Sequence, residues 1–174
     1  MEQQIKFRKN LHLKRAIFSI MIVATFFIIF NFSSQDGKKS TGVSYNVTTT
    51  IVKTVVKDKN VVEKLVKEIE PVMRKIAHFT IYMVVGFALM GLFCTFNLSN
   101  MSKIVYSLLI GIVYASSDEI HQIFTPDRGP SVLDVGIDTM GVITGILIMI
   151  MFAMITQKCT SFDLRTIKNN VKQI

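Results

Sequence analysis

No long stretch of this chain alternates apolar and polar residues as a water-soluble domain of 174 residues would; its apolar half comes in blocks. Cysteine is scarce. Cys94 and Cys159 share no metal or redox spacing and read as two unpaired thiols. There is no nucleophile elbow and no phosphate loop, so the best-marked hydrolase and nucleotide-binding classes drop out. Negative charge is in short supply: 12 Asp and Glu stand against 20 Lys and Arg, a formal net charge of +8. In a chain of membrane type such an excess belongs to segments facing anionic lipid, so no nucleic-acid partner is expected.

What is present is a set of apolar blocks separated by polar segments. Met1 to Arg15 carries Lys6, Arg8, Lys9, Lys14 and Arg15 against Glu2. The apolar run from Ala16 to Phe32 is longer than the core of a usual signal peptide, and no A-x-A-like cleavage site follows it. It reads as an uncleaved span that stops at Ser33, Ser34 and Gln35. Further spans are expected over about 76–96, 104–122 and 132–155. The predicted fold is all-α: an integral membrane bundle of four transmembrane helices, with an amphipathic helical segment (40–70) between the first two. The predicted domains are a basic tail (1–15), the membrane domain (16–155) and a second basic tail (156–174).

Within the 40–70 segment, Val47, Ile51 and Val55 fall at helical spacing. Asn60 looks like an N-cap with Glu63 three residues on, and Val62, Leu65, Val66 and Ile69 form a stripe. Such helices lie on the bilayer surface or over the bundle, as plain linker or as lid. Pro71 suits a first helical turn and is expected to mark the start of the second span.

The chemistry-bearing residues cluster. Asp118, Glu119, His121, Asp127, Arg128, Asp134 and Asp138 fall within 21 positions. Ionisable side chains at membrane depth are costly to desolvate, and so point to function by default. On a helix, Arg74, His78, Tyr82 and Gly86 share a stripe; so do Gly111, Tyr114, Asp118, His121 and Gln122, with Glu119 about 100° away. Asp134, Asp138, Gly141 and Gly145 make a third stripe, and its GxxxG pattern permits close helix contact, including a homo-oligomer. If four spans alternate in direction, Ser33–Gln35, Arg74–His78, Asp118–His121 and Asp134–Asp138 all come to one side. The opposite side is left with a short connector and two basic tails. Lys and Arg divide equally between the sides, ten and ten. The dense cluster before the first span breaks the tie, placing both termini in the cytoplasm and the polar cluster outside, in a multi-pass protein of the cell membrane.

At these residues the chain resembles the VanZ-like family of small bacterial membrane proteins. The match lies in SSQ after the first span, R-K-x-x-H-F-x-x-Y from Arg74 to Tyr82, D-E-x-H-Q-x-F-x-P-x-R from Asp118 to Arg128, and D-V-x-x-[ND]-x-x-G from Asp134 to Gly141. Many relatives carry Asn where this chain has Asp138. The resemblance implies a cell-envelope setting, since the family's named member is associated with low-level resistance to the lipoglycopeptide teicoplanin.

Two readings of function follow. In the first, the protein binds or modifies a lipid-linked anionic cell-wall precursor. Arg74, Lys75 and Arg128 hold its phosphate or carboxylate, and Tyr82, Gln122, Asp134 and Asp138 complete the contact surface. His78, His121 and Glu119 are the proton carriers, with Asp118 among the catalytic candidates. Asp118, Asp134 and Asp138 can orient the histidines or bind a hard cation such as Mg²⁺, yet no compact ligand spacing calls for a metal and none is assigned. The cofactor is unknown. In the second reading no bond is made or broken: Arg74 and Arg128 neutralise buried aspartates, and the cluster holds the bundle together. A transporter is a third reading.

Overall fold

The computed structural model describes residues 2–34, 37–126 and 131–156. It contains five helices: α1 (Glu2–Ser33), α2 (Gly37–Val55), α3 (Lys59–Phe93), α4 (Asn100–Gln122) and α5 (Val132–Thr156). There are no strands among the described residues. Arg128 and Asp127, Gln35, and the tail from 158 onward with Cys159 lie outside the described residues.

Three helical stretches are long and apolar enough to cross a membrane: Lys9–Ser33, Lys59–Phe93 and Val132–Ile155. α4 has 23 residues, about 35 Å at helical rise, which matches a bilayer in length. Its lower hydropathy comes from the polar residues at both ends, among them Asn100, Lys103, Asp118, Glu119 and Gln122. The basic segment before residue 16 continues α1 without a break.

α3 differs from the expected pair of elements. It is one helix of 35 residues, with Pro71 inside it rather than at the start of a span. Its N-cap is Asp58, not Asn60. The Asp58 carboxylate accepts the Asn60 N–H at 2.9 Å and the Val61 N–H at 3.4 Å, satisfying amides that the first turn leaves unpaired. Just before Pro71, the buried Glu70 accepts a hydrogen bond from the Ser44 hydroxyl, tying α2 to α3.

α2 also presents a different face from the one expected. Thr48 and Val52 are buried, while Val47 and Ile51 remain about half exposed (51% and 49%). Val52 packs with Val62 and Val66 of α3 in a small cluster of its own. The α3 stripe is as expected at Val62 and Val66, but Ile69 stays on the surface. The period of 3.6 was legible; the side turned to the partner was set by the neighbouring helix.

The main core is built from Ile29, Tyr82, Val85, Leu89, Met90, Ala115, Val142, Ile146 and Met149. α3 and α5 form the most extensive helix pair. Glycine makes this possible. A Cβ at Gly86 would strike the Val142 carbonyl; at Gly141, the Phe79 carbonyl; at Gly145, the Met83 carbonyl. The GxxxG face is therefore used inside the chain, against α3, and is not free to pair a second copy.

Outside the core, Ile17, Ile20, Val23 and Phe27 of α1 and Leu147, Met151 and Phe152 of α5 are exposed. Apolar surface on this scale is what a helix shows to lipid rather than to water.

Candidate functional site

The polar sets expected at one side do meet at one end of the bundle. α1 ends beside the end of α4: the Ser34 hydroxyl lies 3.0 Å from His121 Nε2, and the Thr125 hydroxyl donates to the Ser33 carbonyl at 3.4 Å. The His121 ring also stacks on Phe30, centroids 4.8 Å apart. α3 lies beside α5: Lys75 Nζ is 3.9 Å from Asp134 Oδ1, and one turn deeper His78 Nδ1 is 3.6 Å from Asp138 Oδ1. Both pairs step by three or four residues on facing helices, so they form two rungs between α3 and α5.

α4 closes the group. One donor atom each from His78, Asp118 and Asp138 lie within 4.8 Å of one another. Asp118 is braced from its own helix by Gln122, whose amide donates to Oδ2 at 3.2 Å. Asp118, Gln122 and Asp138 are buried, Asp138 completely. Tyr82, one turn deeper than His78, is also completely buried. Among the described residues, neither carboxylate oxygen of Asp138 nor the Tyr82 hydroxyl has a hydrogen-bond partner. Buried polar atoms in folded proteins are nearly always paired, because a lost bond to water is otherwise uncompensated. An exception concentrated at one spot marks that spot.

Glu119 has a different place. Its carboxylate accepts the Ser131 N–H at 2.8 Å. Ser131 in turn accepts the Asp134 N–H at 3.2 Å through its hydroxyl, so Glu119 fixes the first turn of α5, where the helix dipole favours a negative charge. Its second oxygen is buried without a hydrogen bond among the described residues.

The sequence-predicted residues thus divide. His78, Asp118 and Asp138 come together, with Tyr82 and Gln122 beside them. Lys75 and Asp134 form a half-exposed pair nearer the helix ends. His121 turns to α1 instead, although it shares a helical stripe with Asp118. Arg74 is half-buried and, among the described residues, makes no ion pair with the buried aspartates. Alternating spans put these residues at one level and allowed the aspartates to orient a histidine; that His78, Asp118 and Asp138 share one space is set by the packing. Ser131 carried no signal of its own in the sequence beyond preceding an apolar run.

The opposite end is not as empty as expected. Arg15 donates to the Thr95 hydroxyl and carbonyl at 3.2 and 2.9 Å and lies over the Phe96 ring. Lys103 and Asn100 are buried there.

With this geometry in view, the sequence model of one family, described as VanZ/LLP1, matches residues 17–153. The chain belongs to this family. The match runs from the apolar part of α1 nearly to the end of α5, so every residue of the polar cluster lies within it. VanZ/LLP1 membership and three apolar helices of spanning length together identify a membrane protein of VanZ-like type. No curated protein and no solved structure matches the chain.

Proposed function

We propose that this VanZ/LLP1 protein is a cell-envelope component that binds a lipid-linked anionic precursor through the polar end of its bundle. In this reading α4 is a fourth span beside α1, α3 and α5. Both termini are cytoplasmic, and the cluster faces the outer leaflet. Lys75, with Arg74 and Arg128 close to it in sequence or at the same expected level, attracts phosphate or carboxylate. His78, Asp118 and Asp138 contact the polar head below it.

The observation that carries the reading is the buried Asp138 beside His78 and Asp118, its own two oxygens without a hydrogen-bond partner among the described residues. A cluster kept only for stability is expected to satisfy its own groups, because each unmet one costs about 1–3 kcal/mol. The link to glycopeptide response, teicoplanin included, follows from the family resemblance and is part of the same proposal.

Asp118→Asn and His121→Gln, made singly, test it. Folded yield in detergent is measured beside teicoplanin susceptibility and binding of a polyprenyl-phosphate lipid in nanodiscs. Normal yield with lost lipid binding and lost phenotype is the expected result for Asp118→Asn. Retained binding and phenotype in Asp118→Asn overturns the reading.

A structural reading has its own support at two residues. Glu119 anchors the start of α5, and His121 ties α4 to α1. For those two, lost yield rather than lost binding is the expected outcome of substitution.

A further inference from the structure

We propose that His78, Asp118 and Asp138 bind a single divalent transition-metal ion of the zinc type, held between α3, α4 and α5. The inference rests on the reading that this cluster holds a ligand, and it deepens that reading by naming one.

Three features argue for it. The first is the donor set. Two carboxylates and an imidazole from three different helices converge within 4.8 Å. An ion with bonds of about 2.1 Å separates neighbouring tetrahedral donors by about 3.4 Å. The His78–Asp138 separation of 3.6 Å is close to that spacing, and the Asp118 donor lies within 4.8 Å of both. An imidazole among the ligands favours zinc-like ions over Mg²⁺ or Ca²⁺, which prefer all-oxygen shells. The all-carboxylate trio of Asp118, Asp134 and Asp138 suggested by the sequence does not form, because Asp134 lies against Lys75.

The second feature is the unmet hydrogen bonding of Asp138 and, independently, of Tyr82. Asp138 is 0% exposed, and among the described residues neither of its oxygens is hydrogen-bonded. The Tyr82 side chain is equally buried, and among the described residues its hydroxyl has no hydrogen-bond partner. A cation placed between the carboxylates meets the Asp138 oxygens, and its bound water or substrate oxygen gives the phenol a partner.

The third feature is charge. As ligands, two aspartates and a neutral imidazole would bring two negative charges to a buried space. Lys75 stands one turn away, 3.9 Å from Asp134. A divalent ion places positive charge beside the fully buried Asp138 carboxylate, and a buried charge is costly unless it is paired or coordinated. Gln122, bonded to Asp118 Oδ2, orients that carboxylate as supporting residues do around metals. Three protein donors also leave a coordination position for an oxygen of a phosphate or carboxylate head group.

The test uses the full-length protein in detergent, stripped with chelator and then titrated with Zn²⁺. One equivalent bound per chain by equilibrium dialysis, with a raised melting temperature, is expected. In Asp138→Asn and His78→Gln the affinity falls at least about tenfold, in line with the effect of disturbing even the supporting shell of a metal site. Wild-type-like affinity in both variants, or no stoichiometric uptake by the wild type, overturns the proposal. If the variants fail to fold, Co²⁺ added to the wild type decides. Visible ligand-field bands of a four- or five-coordinate ion support the site, and the spectrum of hydrated Co²⁺ overturns it. Lipid binding is measured separately in nanodiscs. A protein that takes up the ion but not the lipid loses the precursor reading and keeps this one; the reverse result removes the metal alone.

Discussion

Single residues at the polar end do separable jobs, and their substitutions are expected to part company. Tyr82 buries a hydroxyl with no hydrogen-bond partner among the described residues. Tyr82→Phe removes an uncompensated group, so the melting temperature in detergent is expected to stay level or rise, by at most about 1 kcal/mol of stability. A clear drop would mean the phenol is held within the bundle. His121 and Ser34 share one contact across α4 and α1. A double-mutant cycle of His121→Gln and Ser34→Ala is expected to give a coupling of about 0.5–1.5 kcal/mol. Zero coupling would remove that tie. The sequence could name His121 as chemistry-bearing. It could not show the ring turned to α1, because helical spacing sorts residues by angle without saying which neighbour occupies each angle.

At the scale of elements, the α3–α5 contact is the joint that sets the site. Its backbones approach closely enough that any Cβ at Gly141 or Gly145 collides with a carbonyl of α3. Gly145→Ala is expected to cost about 1–3 kcal/mol, as overpacking does, and to pull His78 away from Asp138. Gly136→Ala is the matched control. Nothing lies within 4 Å of its added carbon, so the melting temperature is expected to hold or rise, since alanine is the better helix former. Equal losses in both variants would contradict the packing. Farther out, Asp58→Ala removes the cap of α3 and is expected to cost about 1 kcal/mol, read as earlier melting of helical circular dichroism. The GxxxG stripe was visible in the sequence. Whether it pairs two copies or two helices of one copy depends on what lies opposite, which linear order does not state.

For the whole molecule, the decisive question is where the bundle sits in the bilayer. Introduced cysteines at positions 35, 76, 120 and 134, in a background lacking Cys94 and Cys159, are expected to react with an impermeant maleimide from one face only. Reaction from opposite faces would break up the proposed outer-leaflet site. The polar end gathers the ends of α1 and α4 with the starts of the spanning parts of α3 and α5. The far end carries its own buried Lys103 and the Arg15–Thr95 contact. The asymmetry is therefore one of kind. One end concentrates carboxylates and histidines in a small space, and the other buries cationic and amide groups.

The sequence by itself determined that the chain is helical, that its apolar blocks are of membrane type, and that its ionisable residues gather near a few helix ends. Those properties follow from local composition and from the 3.6-residue period, which any stretch of chain expresses on its own. It also carried the family motifs, because these are linear strings. Tertiary structure alone decided that His78, Asp118 and Asp138 share one space, that Glu119 serves the start of α5, and that Pro71 lies within a continuous helix. Each of these depends on which helix packs against which, and at what depth. That choice is made by close contact at glycines and by the filling of the core, over separations in sequence that no local pattern spans.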